Sequence, residues 1–493
     1  MQRKKIVIVG AGPGGLTSAM VLARRGFDVE VFEKATVLGG RSAELAFDGY
    51  RFDTGPTFLM MKFVLDRAFA EAGANSDELL EFRRLTPMYR LVFPDFSMDI
   101  SDDPAAMRAE IARCFPGQEA GLDKFLAREQ RRYQHIYNCL EHDYSSLWSL
   151  FKPSFLRAIP YIPLGRSIYN YLGNYFSPEK LRLSFTFQSK YLGMSPWECP
   201  GFFVILPYIE HAFGIFHVQG GLSEISRAMA KVAERNGARI HLNSPVRQLI
   251  VEGGKVKGVE LADGRRVLAD ETILNADFAH AMNTLVPPGK LRRYSPKKLA
   301  EKKYSCSTFM LYLGMDREYQ ELPHHTIIFA RDYRRNSDEI FKSRKLSTDI
   351  SFYIRNSSVT DPKVAPPGRS GLYILVPAPN NSSDIDWSVE RDRFRELVLD
   401  AIAERTPLGD IRSHIVTERV ITPADWESSG VYLGATFNLA HTLNQMLYFR
   451  PHNKFEELDN CYLVGGGTHP GSGLPTIYQS GLIAANLVSK KYE

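Results

Sequence analysis

Cysteine is scarce and scattered. Cys114, Cys139, Cys199, Cys306 and Cys461 are odd in number and show no Cys-x-x-Cys spacing, which argues against a disulfide framework and against a zinc site. Long apolar runs are missing too: no stretch reaches the ~18 uninterrupted apolar residues a spanning helix needs, so an integral membrane protein is not expected. Charge of one sign is equally absent. The 61 Lys and Arg against 56 Asp and Glu leave +5 on 493 residues, too little to argue for nucleic-acid binding, and no basic-aromatic motif of an RNA or DNA module occurs. There is no internal repeat and no low-complexity segment. The start Met1-Gln2-Arg3-Lys4-Lys5 before an apolar run imitates a signal peptide, but glycines at 10, 12, 14 and 15 interrupt it, so synthesis and retention in the cytoplasm are expected.

What is present is densest at the N-terminus. Lys5-Ile6-Val7-Ile8-Val9 is followed by Gly10-Ala11-Gly12-Pro13-Gly14-Gly15, a helical stretch to Arg25, and Asp28-Val29-Glu30-Val31-Phe32-Glu33. A β-branched strand, a Gly-x-Gly-x-x-Gly turn, a helix and a second strand tipped by an acid form the first βαβ unit of a dinucleotide-binding fold. Gly10 permits the sharp turn, Gly12 lets the backbone approach a pyrophosphate, and Gly15 lets the helix pack closely on the sheet. The helix start offers unpaired N–H groups to phosphate. Glu33 is expected to accept from a ribose diol and to repel a 2′-phosphate, so the nucleotide is of the FAD or NAD type and not NADP.

The segment after Glu33 leads to Gly39-Gly40-Arg41-Ser42 and Asp53-Thr54-Gly55-Pro56. A second Gly pair with Arg at this distance resembles the two-dinucleotide-motif flavoproteins, a group that includes amine oxidases, protoporphyrinogen oxidases and carotenoid desaturases. The resemblance implies FAD, with Gly40 and Arg41 beside the flavin nucleotide and backbone atoms at Val246 holding the adenine.

The chain resolves into interleaved parts: an α/β, Rossmann-like FAD-binding domain from 1–84, 217–290 and 455–493, a mixed-sheet substrate domain from 85–115 and 291–454, and a helical cap from 116–216. Within the cap, 148–190 mixes Phe151, Phe155, Tyr161, Tyr169, Tyr171, Tyr175, Phe176, Phe185 and Phe187 with Lys152, Arg157, Arg166, Lys180, Arg182 and Lys190 against Glu179 alone. Two readings stand: a membrane-docking face of aromatics and cations, or a helical domain with a buried aromatic core.

Near the C-terminus, Cys461-Tyr462-Leu463-Val464 enters Gly465-Gly466-Gly467-Thr468-His469-Pro470-Gly471-Ser472-Gly473-Leu474-Pro475-Thr476 and a helix ending near Lys490. Pro475 suits a first helical turn, and the helix start would face the electron-rich end of an isoalloxazine. With Gly-Gly-Arg and Asp53-x-Gly55-Pro56, this loop resembles the bacterial and fungal type of phytoene desaturase. Further likeness lies at His324-His325-Thr326 and Arg450-Pro451-His452-Asn453.

That resemblance implies dehydrogenation of a linear carotene precursor such as phytoene or its C30 analogue, with hydride passing to flavin N5 and the flavin reoxidised by quinone or oxygen. It places Gly55, Gly467, Thr468, Leu474, Pro475 and Thr476 at the cofactor and makes His469 a candidate general base. It also implies peripheral attachment to the inner face of the cell membrane. Cys461 lies on the strand before the loop, so FAD attachment is expected to be non-covalent. Alternatives are a carotenoid oxidase, a hydroxycarotenoid dehydrogenase, a carotene isomerase, or a non-enzymatic prenyl-binding scaffold. Adjacent residues on a strand point to opposite faces, so His324 and His325 are expected to be structural, and no metal is expected.

Overall fold

The computed structural model describes residues 3–163 and 165–493. Its centre is a five-stranded parallel sheet in the order 461–463, 271–274, 5–9, 28–32, 239–241. The middle strand, Lys5–Val9, reads Lys-Ile-Val-Ile-Val and is buried past its first residue, as β-branched residues covered on both faces of a parallel sheet require. The helix Pro13–Arg24 follows directly and is buried from Pro13 to Ala23. It is packed between the helices Ser223–Arg235 and Leu474–Lys490. Contact with the latter is close: Ser18 Oγ donates to Gly481 O at 3.0 Å, and a Cβ on Gly481 would lie 2.6 Å from Gly14 O.

The second sheet has seven strands in the order 415–421, 307–315, 370–378, 352–356, 325–328, 89–92, 97–100. Its pairings are antiparallel except that of 325–328 with 89–92. Ser307–Met315 is buried along its whole length, because Trp387–Arg405 covers one face with Trp387, Phe394, Val398 and Ile402 while the other face looks into the molecule. A three-stranded antiparallel meander, 246–252, 255–261 and 266–268, is appended to the first sheet.

Residues 119–213 are mainly helical, from Glu119–Leu140 to Ile205–Phe213. Here the structure divides the aromatic segment that sequence alone treats as one face. Tyr171, Tyr175, Phe176, Phe185 and Phe187 are buried core, Lys180 pairs with Asp95, and the Arg182 guanidinium stacks over Tyr169. Among the described residues of 119–213, the large exposed apolar side chains fall in 147–161, where Leu147, Trp148, Phe151, Leu156, Ile159 and Tyr161 face outward, Trp148 at 79% exposure. The boundary has a local cause. Residues 147–161 fold as three short helical turns, whereas Phe125 of Glu119–Leu140 and His211 of Ile205–Phe213 pack against Tyr175, Phe176 and Phe185. No helix among the described residues is long and apolar enough to cross a membrane.

Candidate active site

The first glycine loop is built around a side chain from a distant strand. Asn275, after 271–274, donates through Nδ2 to Gly10 O at 3.1 Å. A Cβ on Gly15 would fall 2.3 Å from Gly10 O and 2.9 Å from Asn275 Nδ2, and Gly10 itself has φ 97°, so the turn and the close helix approach both demand glycine. Gly12 caps the helix with no side-chain hydrogen bond to its first turn, leaving those N–H groups open to an anion. Glu33 is buried, and its oxygens accept from Ala11 N at 2.7 Å and Ala35 N at 2.9 Å. Each oxygen keeps a second lone pair.

From there the predicted cofactor residues form a track. Ser244 N, two residues before Val246, bonds Glu33 O at 2.7 Å, and Gly39 N bonds Ala11 O at 2.9 Å. Gly40 sits over Gly12, to whose Cα a Cβ would come within 3.6 Å. Arg41 then reaches inward to Thr436 O at 3.2 Å and to Asp277 Oδ2 at 3.6 Å. Asn438 bridges the pair once its amide is assigned from its neighbours, with the oxygen toward the donor Arg41 and the nitrogen toward the acceptor Asp277: the oxygen then accepts from Arg41 Nη2 at 2.6 Å and the nitrogen donates to Asp277 Oδ2 at 2.7 Å. Burial raises the Asp277 carboxyl above its usual range, and Arg41 opposes the shift.

The track ends at the molecule's large cavity, which encloses ≈ 1410 Å³ of empty space including its mouth. Arg41, Gly55, Gly466 and Ser472–Pro475 line one side; Met310, Tyr353, Tyr373 and Trp426 from the seven-stranded sheet and its flank line another; Phe187, Lys190 and Tyr191 from the cap close it. The helix Leu474–Lys490 begins here, with Pro475 in its first turn and no side-chain cap at Gly473, so a second open helix start borders the cavity.

Not every predicted residue reaches it. Gly467 is required because a Cβ would strike Phe278 Cβ at 2.5 Å. Thr468 turns inward, its Oγ1 3.3 Å from Gly465 O, and Thr476 Oγ1 bonds Gly471 O and Gly473 O. His469, the expected base, is displaced from the site. It is 1% exposed, lies outside the cavity lining, and packs edge-on against Tyr144 with both ring nitrogens unpaired. Burial, aided by the Arg450 cation, drives its pKa down to about 3. His324 and His325 are buried in hydrogen bonds to Thr360 and Tyr353.

Three residues that motif reading left without a role organise the site. Besides Asn275, Arg450 is fully buried, has no carboxylate partner among the described residues, and donates to Thr468 O at 2.9 Å and Gly466 O at 2.6 Å. Asn453 Nδ2 reaches Leu463 O, His469 O and Ser480 Oγ. Together they hold the C-terminal loop from behind by its carbonyls. The Arg450-Pro451-His452-Asn453 string was the available signal.

This set fits a flavin dinucleotide: an open glycine cradle, an acid with free lone pairs, an arginine held at the cavity edge, and a second open helix start. A family model described as flavin-containing amine oxidoreductase matches residues 13–489. The chain is 53% identical over 490 residues to a 4,4'-diapophytoene desaturase (4,4'-diapolycopene-forming) from Methylomonas sp., covering 99% of this chain and 96% of that one. It is 33% identical to a lycopene-forming phytoene desaturase from Pseudescherichia vulneris, covering 98% and 99%. Among solved structures, a putrescine oxidase variant superposes with TM-score 0.65 at 15% identity over 99% of both chains, which shows likeness of fold.

Proposed function

The chain belongs to the carotenoid desaturases within the flavin-containing amine oxidoreductase family, and from that membership we propose that it uses FAD to dehydrogenate a linear carotene precursor. The observation that carries this is the apolar cavity into which the predicted flavin track opens at Arg41 and Ser472–Pro475. When bound, the isoalloxazine supplies a hydride acceptor. The residues supply position and dryness: Phe187, Met310, Phe352, Trp426 and their neighbours exclude water from a long hydrocarbon, and the Arg41–Asn438–Asp277 cluster fixes the cofactor edge. The 53% likeness to a desaturase named for a 4,4'-diapo substrate, against 33% to a lycopene-forming one, favours the C30 precursor over phytoene. FAD is held non-covalently and reoxidised by a quinone or oxygen.

A lipid-soluble substrate calls for delivery from a bilayer. The outward apolar side chains of 147–161, interspersed with exposed Lys152 and Arg157, support peripheral docking on the inner face of the cell membrane.

The test is product analysis with FAD-loaded protein, liposomes carrying the C30 precursor or phytoene, and a quinone or oxygen. Coloured products two hydrogens lighter per step are expected without NAD(P). An unchanged mass would point to an isomerase, and added oxygen to an oxidase; colourless purified protein would point to a scaffold. Acid precipitation should release the flavin.

A further inference from the structure

The cap contributes one amine to an otherwise apolar interior. The helical turn Phe187–Leu192 presents Phe187, Lys190 and Tyr191 to the large cavity, and Lys190 also lines a small side chamber that shares Thr308, Leu375, Pro377 and Phe437 with it. Among the described residues Lys190 Nζ meets no carboxylate. It lies instead 4.9 Å from the Tyr333 ring centroid and 5.6 Å from that of Phe329. Cys306, just before the strand Ser307–Met315, also lines the side chamber and is the ionisable group that acts on Lys190. An amine without a counter-ion, facing an apolar cavity, carries a charged form that desolvation makes costly.

We propose that Lys190 is the proton acceptor of the desaturation. The inference rests on the desaturase reading above and adds a residue to it. Converting CH2–CH2 to CH=CH removes a hydride from one carbon and a proton from the next. Once the hydride, with its two electrons, has left for the flavin, the neighbouring C–H bond breaks. Its electron pair becomes the second bond of the new alkene, and its proton becomes the third N–H of the Lys190 ammonium.

The cavity lining leaves few other acceptors. It contains no Asp, Glu, His or Cys. Arg41 carries a guanidinium, which presents donors and offers no lone pair. Tyr191, Tyr353 and Tyr373 are phenols whose pKa burial raises further, so they stay protonated. Lys190 moves the opposite way, with burial lowering it to about 7, which makes the free amine available at neutral pH. The groups facing it do not reverse this: Cys306 and Tyr333 are both pushed upward by burial and remain neutral. A base with pKa near the working pH is the favourable case for proton transfer.

The experiment compares wild type with Lys190→Met, which keeps the stem and removes the amine, and Lys190→Arg, which keeps the charge and cannot release it. Each is loaded with FAD and assayed for kcat across pH 5.5–9. Wild type should show an acid limb with an apparent pKa near 7. Both variants should keep FAD and lose kcat by ~10²-fold or more, as for loss of a general base, and the residual rate should lack that limb. Separately, reductive methylation followed by mass spectrometry reads the Lys190 amine directly: its labelling should rise through pH 7, well before surface lysines, and fall when a carotene is bound. Labelling that titrates with the surface lysines overturns the proposal, as does Lys190→Met with kcat within about threefold of wild type and an intact acid limb. A variant with raised KM and unchanged kcat assigns Lys190 to substrate positioning and overturns it equally. Wild type that yields no lighter product overturns the desaturase reading, whatever the labelling result.

Discussion

Asp53, at the end of the strand Tyr50–Asp53 of a two-stranded hairpin, and Arg355 of the seven-stranded sheet form a buried ion pair, Oδ2 to Nη1 at 2.6 Å, with side chains 1% and 3% exposed. Asp53 also accepts from Leu222 N and Ser223 N at 3.0 Å each, the start of the helix Ser223–Arg235. Arg355 continues the chain of bonds to His217, which holds Asp361 at 2.7 Å. The first residue of Asp53-x-Gly55-Pro56 therefore joins the start of the helix Ser223–Arg235 to the seven-stranded sheet, while Gly55 two positions later reaches the cavity.

Asp53→Asn should expose the cost of that arrangement. It leaves the Arg355 guanidinium buried without its counter-ion, a class of change worth about 3–5 kcal/mol. Denaturant unfolding should show the loss, and the Asp53→Asn, Arg355→Met double variant should recover much of it. A single variant as stable as wild type would remove the pair from the account.

The N-terminal βαβ unit was legible because its signals are local: strand period, glycine turn and terminal acid all fall between Lys5 and Glu33. The cavity was less legible because its walls converge from separate stretches of chain between Arg41 and Ile477, and nothing in the spacing of Lys190, Tyr353, Trp426 and Asn438 announces that they meet. Asn275 directly follows the strand 271–274, and its role under Gly10 and Gly15 depends on the parallel register of that strand beside 5–9. His469 misled for the complementary reason. It stands in the right loop, but Arg450 and Asn453 bind the carbonyls around it and the imidazole turns toward Tyr144.

His469→Phe should accordingly leave kcat within a few-fold of wild type, not the ~10²-fold or greater loss expected of a general base. Both imidazole nitrogens are buried and unpaired, and an unsatisfied buried polar group costs ~1–3 kcal/mol, so the variant should be as stable as wild type or more so. A 10²-fold fall in kcat with FAD retained would restore His469 as the base.

Stability should fall on acidification below about pH 6.5. Burial lowers His211 to about 4 and His469 to about 3 from an ordinary 6.5, so the native state refuses protons that the unfolded chain takes up. Each such group removes ~1.4 kcal/mol per pH unit across that window. Glu210 acts in the opposite sense: raised to about 7 by burial, it binds a proton in the fold between pH 7 and its ordinary 4.5 and stabilises as pH drops. Asp277, raised by burial, acts as Glu210 does, but two acids against the lowered histidines His211, His469, His324, His325 and His441 leave a net loss. The thermal midpoint should be lower at pH 5 than at pH 7.5; an equal or higher midpoint at pH 5 would refute the balance.

The last prediction separates the two halves of the aromatic cap. If docking runs through 147–161, Trp148→Ser with Phe151→Ser should abolish most binding to anionic liposomes in co-sedimentation, because burying such side chains in the interface supplies ~25 cal/mol per Å² of apolar surface. Lys152→Glu with Arg157→Glu and Arg166→Glu should weaken binding and flatten its salt dependence, each cation near an anionic surface being worth ~1 kcal/mol. Neither set touches the cavity, so FAD content and turnover on detergent-dispersed substrate should hold. The buried aromatics give the control: Tyr171 and Phe185 pack inside the cap, so Phe185→Leu should alter stability without changing liposome binding by the folded fraction. Undiminished sedimentation of the Trp148 and Phe151 double variant would place the docking face elsewhere on the molecule.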